Sequence, residues 1–564
     1  MIRKRLASIG AAPFLFFLAV AILVIVVAVP VLLIFWNAFW VDGRLNVQDV
    51  AKILSEPETY KALGNSLVLA SGVTVTGTIL GTAFAWLVTR TDLPMKGLMK
   101  VLLLVPFMLP SFIGALAWKM LLSPRSGYVN RFFMEVLGFT RPIFDVYTYQ
   151  GIIAVETMYL FPFVFIQVSG SLERMDPTLE ESARISGADL LTITRKITIP
   201  LVLPSILSGA LLIMLYSMAH FGTVAVLGVE AGIYNIPTLI YEKIHQSAGS
   251  FRSIRTGTVL ATVLVLAAAL ILWLQNRLLS RGRYQIIAGK SFRPSELKLR
   301  GLRFPLLVLC LAWVGFTIVL PTVTIFLVGF LRTYGLPIAL ENMTWENYRH
   351  ILLDWQLTRD AIRNSVVLGT TAALVTMAAG VIISYVIVKL KVRGKGLLEF
   401  LGMLPFSVPG SVIALGVILA WSGRFGVNLY NTVWIILVAY VARYMAFSLK
   451  ANSAALEQVH DSLVEAARAS GATLGQALRD VVVPLVRPGM VAAFFLIFLP
   501  SLRELTVSVL LYGPTSRTIG VAIYTLNEDG ETVYSAALAA VALVIIVAGE
   551  VVLRRFIQAR GTHG

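Results

Sequence analysis

Apolar residues run along this chain in blocks too long for the interior of a water-soluble protein. Phe14–Trp36 contains no charged residue and neither does Thr256–Leu274. Either run can cross about 30 Å of hydrocarbon as a helix. Twelve such blocks are present, near 14–36, 65–89, 98–121, 150–170, 200–222, 256–276, 304–330, 364–388, 397–420, 431–449, 486–511 and 535–557. All twelve are expected to be helices, because backbone facing lipid must satisfy its own hydrogen bonds and the period-two alternation of a barrel is absent. The predicted fold class is therefore all-α, a polytopic membrane protein of about twelve transmembrane helices.

The polar positions between blocks orient the chain. Arg3, Lys4 and Arg5 precede the first block, and Arg90, Lys96 and Lys100 separate the second from the third. Arg277, Arg281, Arg283, Lys290, Arg293, Lys298, Arg300 and Arg303 follow the sixth, against the single acid Glu296. Lys389, Lys391, Arg393 and Lys395 lie between the eighth and ninth, and Arg554, Arg555 and Arg560 come after the last. All these segments fall on one side, which predicts that both termini are cytoplasmic. The apolar stretch after Arg5 is too long for a signal-peptide core and reads as a retained first span.

Composition agrees: the 564 residues are 57% hydrophobic and 14% charged, with a mean hydropathy of +0.82. A soluble chain carries roughly a quarter charged residues. The net charge of +17 raises the question of nucleic acid. The collection of cations in particular loops between spans points to the lipid bilayer as the partner, with no nucleic acid. One cysteine, Cys310, allows no intrachain disulfide, and five scattered histidines show no metal-binding spacing. No metal site and no catalytic residue is predicted.

The pattern repeats. Asn65-Ser66-Leu67 recurs as Asn364-Ser365-Val366, and Pro106-Phe107-x-x-Pro110 recurs as Pro405-Phe406-x-x-Pro409, both at an offset of 299. Glu181-Ser182-Ala183-Arg184-Ile185-Ser186-Gly187-Ala188 recurs as Glu465-Ala466-Ala467-Arg468-Ala469-Ser470-Gly471-Ala472 at an offset of 284, which also carries Pro200 and Pro204 onto Pro484 and Pro488. The first half thus holds 15 extra residues, placed in the loop 123–150. Six spans per repeat predict parallel halves related by an axis along the membrane normal, with a pathway between them. The expected domains are 1–276 with a loop at 171–199, a basic cytoplasmic linker at 277–303, and 304–564 with the matching loop at 450–483.

Those two loops carry the most information. Each opens with a hydroxyl residue three before a Glu, Thr178 before Glu181 and Ser462 before Glu465, which predicts a capping box. Gly187 and Gly471 are expected to end or bend the short helix, since glycine accepts the positive φ of a helix C′ position. Pro200 and Pro484 are expected in the first turn of the next span. A matched helix at the same cytoplasmic place in both halves is a paired docking surface for a two-fold partner.

Glu465-Ala466-Ala467-Arg468-Ala469-Ser470-Gly471 and its first-half copy resemble the cytoplasmic loop of permeases of binding-protein-dependent ABC importers. The first copy departs only in Ser182, where the pattern has alanine. The resemblance implies a bacterial inner-membrane subunit in which Glu181, Ser182, Ala183, Gly187 and Ala188, with Glu465, Ala466, Ala467, Gly471 and Ala472, form coupling helices. These would seat in two copies of a cytoplasmic ABC ATPase. It implies a periplasmic solute-binding protein as the second partner. ATP and Mg would belong to the ATPase, and this chain would hold no cofactor. Gly289-Lys290-Ser291 ends like a phosphate-binding loop, but the glycine required five residues earlier is Tyr284.

His220-Phe221-Gly222 after the fifth span, and Arg503-Glu504-Leu505 after the eleventh, resemble the ferric-iron branch of that family, although many members carry an acid where this chain has His220. Relatives for thiamine, polyamines, phosphonates or sugar phosphates stay open, and an ion-coupled secondary transporter or a membrane enzyme fits the duplicated loops less well. Four residues are candidates for the pathway. His220 and Glu504 match at offset 284, and Glu156 and Arg443 are charges set deep in the fourth and tenth spans. A lone charge at mid-membrane costs at least about 2.5–3.5 kcal/mol, so Glu156 and Arg443 are expected to have partners, including each other. The loops 37–64, 123–150, 227–255 and 332–363 are expected on the periplasmic side, where a binding protein would dock.

Overall fold

Chain that faces lipid has no hydrogen-bond partner but itself, and the computed structural model is helical almost throughout. It describes residues 2–41, 43–176, 178–246, 251–281, 297–390 and 392–561. Among these, the one paired sheet is a two-residue hairpin, Trp40–Val41 against Arg44–Leu45. Most of the basic linker, with Gly289-Lys290-Ser291, lies outside the described residues.

Nine helices in the described residues are long and apolar enough to cross a membrane: Pro13–Phe39, Pro57–Arg90, Thr194–Met218, Arg252–Leu278, Arg300–Phe330, Gln356–Lys389, Val433–Glu457, Gly475–Leu502 and Thr532–Leu553. Three expected spans are instead bent pairs. Lys96–Met108 with Ser111–Leu122 turns by 91°, Tyr149–Leu160 with Pro162–Arg174 by 41°, and Lys395–Ser407 with Gly410–Trp421 by 116°. The break in the third and ninth spans falls on the repeated Pro-Phe-x-x-Pro. Pro110 and Pro409 have no N–H to give and hold an extended backbone just before the second segment. Pro57–Arg90 and Gln356–Lys389 have 34 residues each, about 51 Å of helix, so they extend past the hydrocarbon.

A fourth bent pair corrects one expectation. The stretch expected as the outer loop 227–255 begins within Val224–Ala231 and contains Ile236–His245, the two bent by 78°, and Ile233–Ile240 is almost entirely buried. The second half repeats it as Ser508–Leu511 and Ile519–Glu528. The recurring Asn-Ser motif explains the arrangement. Ser66 Oγ accepts from Ile236 N at 2.9 Å and Ser365 Oγ accepts from Ile519 N at 2.7 Å. Asn65 donates to Tyr234 O at 2.8 Å, and Asn364 to Thr515 O and Arg517 O at 3.0 Å each. The motif on each second span thus pins the start of a short helix.

Pro200 and Pro484 do not open their spans. Each lies inside continuous helix, two residues after a widened π turn at Thr194–Thr198 or Leu478–Val482. A proline ring collides with the carbonyl four residues back, and the wider turn relieves that clash. Pro30 and Pro321 follow π turns at Val24–Ala28 and Gly315–Val319 in the same way.

Two compact units form, and neither is contiguous in sequence. One comprises Ser55–Leu239 and Leu266–Thr344; the other comprises Met1–Leu54, Ile240–Val265 and Trp345–Gly564. The first span of each repeat has therefore joined the body of the other. In the first unit Phe316 of the seventh span packs on Trp118, ring centroids 4.7 Å apart. In the second unit the first span lies so close to Gly410–Trp421 that a Cβ at Gly416 would come within 2.6 Å of Pro30 O. Each unit has its own core, around Phe84, Phe161 and Val164 in one and Leu23, Ile383 and Met445 in the other.

Candidate coupling loops and buried charge pairs

The two cytoplasmic-type loops are built alike. The helices Thr178–Ile185 and Asp461–Ala469 are followed by Gly187 at φ +83° and Gly471 at φ +99°. Ala188 N donates to Ala183 O at 3.0 Å and Gly187 N to Arg184 O at 3.0 Å. The second copy has Ala472 N to Ala467 O and Gly471 N to Arg468 O, both at 3.1 Å. This is the Schellman arrangement, which uses the last carbonyls of a helix and demands a left-handed residue. After a short connection the chain turns helical again at Leu190 and Leu474 and runs into the next span.

The start of each helix differs from the capping box expected. Asp176 Oδ1 takes the N–H of Thr178 at 2.9 Å, which holds the Asp176 carboxyl below its ordinary range. The second helix begins one residue earlier than expected, at Asp461, and His460 Nδ1 accepts from Ser462 N at 3.3 Å. With side chains upstream already serving the first N–H groups, Glu181 and Glu465 are left outside the cap. Both are exposed and make no hydrogen bond or ion pair among the described residues. Ser182, Gly187, Ala466 and Gly471 are exposed too, and Ala183, Ala188, Ala467 and Ala472 are half-buried. Ile185, 88% exposed, offers an apolar contact on the first knob.

Each loop is fastened to the C-terminal end of the second span of its half by a cation at the same repeat position. Arg90 and Lys389 match at the offset of 299. Arg90 Nη2 lies 3.0 Å from Glu180 Oε1, and Thr198 donates to the same oxygen at 2.6 Å. Lys389 Nζ lies 2.7 Å from Asp461 Oδ1 and also donates to Val459 O. The first clamp is sealed, with side chains 1% and 6% exposed, whereas the second is open at 12% and 68%. Glu180, the neighbour of the residue singled out from sequence, is thus the buried acid of the loop. The matching offset of Arg90 and Lys389 was the signal for it.

The four deep residues form two pairs, each inside one unit. Glu156, fully buried, places Oε1 2.9 Å from His220 Nδ1 and accepts from Ser217 Oγ at 2.7 Å. A carboxylate only accepts, so Nδ1 carries the ring proton; Nε2 lies 2.7 Å from Ser111 Oγ. In the other unit Arg443 Nε donates to Glu504 Oε2 at 3.1 Å, as does Tyr444 OH at 3.1 Å, and Val507 N donates to Oε1 at 2.9 Å. Gly410 makes room for this guanidinium, since a Cβ there would come within 2.8 Å of Arg443 Nη1. Gly410 and Ser111 are repeat mates at the start of the second segment of each broken span. The expected Glu156–Arg443 pair is therefore replaced by partners within each unit, because the residues after the fifth and eleventh spans fold back onto the fourth and tenth.

Residues 376–560 match the family of binding-protein-dependent transport system inner membrane components. A ferric transport system permease protein of Actinobacillus pleuropneumoniae is 29% identical over 93% of this chain and 75% of its own length. A putative ferric transport system permease protein of Haemophilus influenzae is 28% identical over 88% of this chain and 77% of its own. A spermidine/putrescine transport system permease protein of Salmonella typhimurium is 32% identical over 35% of this chain and 71% of its own. Nine apolar helices and four bent pairs among the described residues, the Schellman-ended loops and these relatives agree, and the chain belongs to the permease family of binding-protein-dependent ABC importers.

Proposed function

We propose that this chain is a fused two-half permease of an ATP-driven importer that passes ferric iron from a periplasmic binding protein to the cytoplasm. The observation that carries the reading is the pair of short helices at Thr178–Ile185 and Asp461–Ala469, each closed by a left-handed glycine and each displaying an exposed Glu. Two such knobs suit two copies of a cytoplasmic ATPase, which would hold the ATP and Mg; this chain would contribute no nucleotide site. The Lys/Arg-rich segments support placing the knobs and both termini in the cytoplasm. The relatives similar over nearly the whole chain are described as ferric permeases, which favours iron.

A polyamine is the second reading, favoured by the 32% identity to the spermidine/putrescine permease over a shorter stretch. Co-expression with its ATPase, followed by reconstitution into proteoliposomes with the binding protein, tests both readings. We expect ATP-dependent uptake of radiolabelled ferric iron and hydrolysis stimulated by the loaded binding protein. Uptake of labelled putrescine without iron would select the second reading, and failure to co-purify any ATPase would remove both.

A further inference from the structure

The short helices Ile236–Gln246 and Ile519–Glu528 are repeat mates, and they touch. The ring centroids of Tyr241 and Tyr524 are 5.9 Å apart. Both rings lie within one compact unit, although the helices come from different repeats. The inference rests on the importer reading above: a pathway lined by both repeats would be lined where repeat-related helices meet.

At this meeting point Glu528 receives two phenols. Tyr524 OH donates to Oε1 at 2.7 Å and Tyr241 OH to Oε2 at 3.5 Å. The carboxylate is exposed, Tyr241 is half-buried and Tyr524 is buried, so the oxygens are anchored from behind and open in front. Asp529 adds a second acid beside Glu528. His245 packs on Tyr241 at 4.2 Å and on Tyr512 at 5.9 Å, and Arg517 lies over the Tyr512 ring at 5.8 Å. Glu528 is the last residue of its helix, where the backbone dipole favours a cation. The buried carboxylates lack this character, for Glu504 is held by Arg443, Glu156 by His220 and Glu180 by Arg90.

We propose that Tyr241, Tyr524 and Glu528 form a transit site for a hard trivalent metal ion. Two phenols release their protons to water as the metal–oxygen bonds form. Two phenolates and one carboxylate then balance three positive charges. Hard oxygen donors suit such an ion, and metal binding at the expense of ligand protons is the ordinary coupling. Among the described residues His, Cys, Asp and Glu alone assemble no group of three, so the phenols are what make the set sufficient. Neither phenol was visible as a ligand in the sequence, because the two helices lie 283 positions apart from start to start.

The full chain in nanodiscs, titrated with ferric nitrilotriacetate, tests this. The expected result is a visible phenolate-to-iron charge-transfer band that saturates at one ion per chain and is displaced by gallium(III). Tyr241→Phe, Tyr524→Phe and Glu528→Gln should each weaken binding at least tenfold, while Tyr430→Phe leaves it unchanged. Tyr241 is only half-buried, so its variant keeps the test valid should Tyr524→Phe fold poorly. Absence of the band in a wild-type chain that still imports iron overturns the site and leaves the importer reading standing. A band that survives the Tyr241→Phe, Tyr524→Phe double variant overturns it equally.

Discussion

Glu156 Oε1 lies 2.9 Å from His220 Nδ1, and the other unit has the same bridge with its polarity reversed, Arg443 to Glu504 at 3.1 Å. In one repeat the acid stands on the fourth span and the basic group after the fifth. In the other the basic group stands on the tenth span and the acid after the eleventh. What the repeat preserves is a polar bridge across the same two elements, and both bridges sit against the start of the second segment of a broken helix. These pairs lock the fold-back that follows the fifth and eleventh spans.

Removing one member should strand the other. Arg443→Gln leaves Glu504 at 8% exposure with no counter-charge, a loss of about 3–5 kcal/mol for a buried pair. Glu156→Gln with His220→Gln should be non-additive by about 0.5–3 kcal/mol, whereas Glu156→Gln with Arg443→Gln should add within about 0.5 kcal/mol, since no partner is shared. Double-mutant cycles on unfolding in detergent measure both. Strong coupling between Glu156 and Arg443 would refute the assignment of pairs.

Gly187→Ala and Gly471→Ala force a β-carbon onto φ +83° and +99°, costing about 1–3 kcal/mol of local strain. Open space surrounds Gly187, so the penalty there is conformational alone. The knob should lose its Schellman end while the spans stay folded. The expected outcome is basal ATP hydrolysis in the assembled complex with transport reduced at least tenfold, read from hydrolysis and uptake in the same vesicles. Unaltered uptake in both variants would show that the glycine turn does not shape the docking surface.

Much of this architecture was legible in sequence because membrane burial and duplication both write themselves into it. Long apolar runs marked the spans, and the Asn-Ser, Pro-Phe-x-x-Pro and Glu-x-x-x-x-x-Gly repeats marked a pinning site, a helix break and a knob. The fold-back helices were missed because Val224–Ala231 and Ile236–His245 are each too short to register as a span, and their turn looks like a loop. The caps were misassigned because Thr178 and Ser462 fit the box by spacing, while Asp176 and His460 win by lying just upstream. Pairing of Glu156 with His220 depends on a fold-back across 64 positions, which no local pattern records.

Acidification should loosen the first knob from its start. The Thr178 N–H holds the Asp176 carboxyl below its ordinary range, so the folded pKa is the lower one. The stabilisation is then fully present above the unfolded value, about 3.9, and is lost as pH falls through the folded value. Hydrogen exchange over residues 178–185, corrected for intrinsic rates, should quicken several-fold on lowering the pH through that window. Asp176→Asn should flatten the dependence. A pH-dependence that persists in Asp176→Asn would place its origin elsewhere.

The two clamps should differ in weight. Arg90 and Glu180 are shut away from water, so Glu180→Gln leaves a buried guanidinium without its counter-ion and frees the knob from the second span. Asp461, 68% exposed, leaves behind a lysine that water can reach, and an exposed pair contributes about 0–1 kcal/mol. Glu180→Gln should therefore uncouple the transporter, keeping ATP hydrolysis while uptake falls at least tenfold, and Asp461→Asn should cost less than threefold. Arg90→Lys, which keeps the charge but shortens its reach, should fall between them. Motion from the first ATPase would then enter the membrane through Arg90 and the helix Pro57–Arg90, with the second knob held more loosely. Equal losses in Glu180→Gln and Asp461→Asn would show that burial of the clamp does not set the coupling.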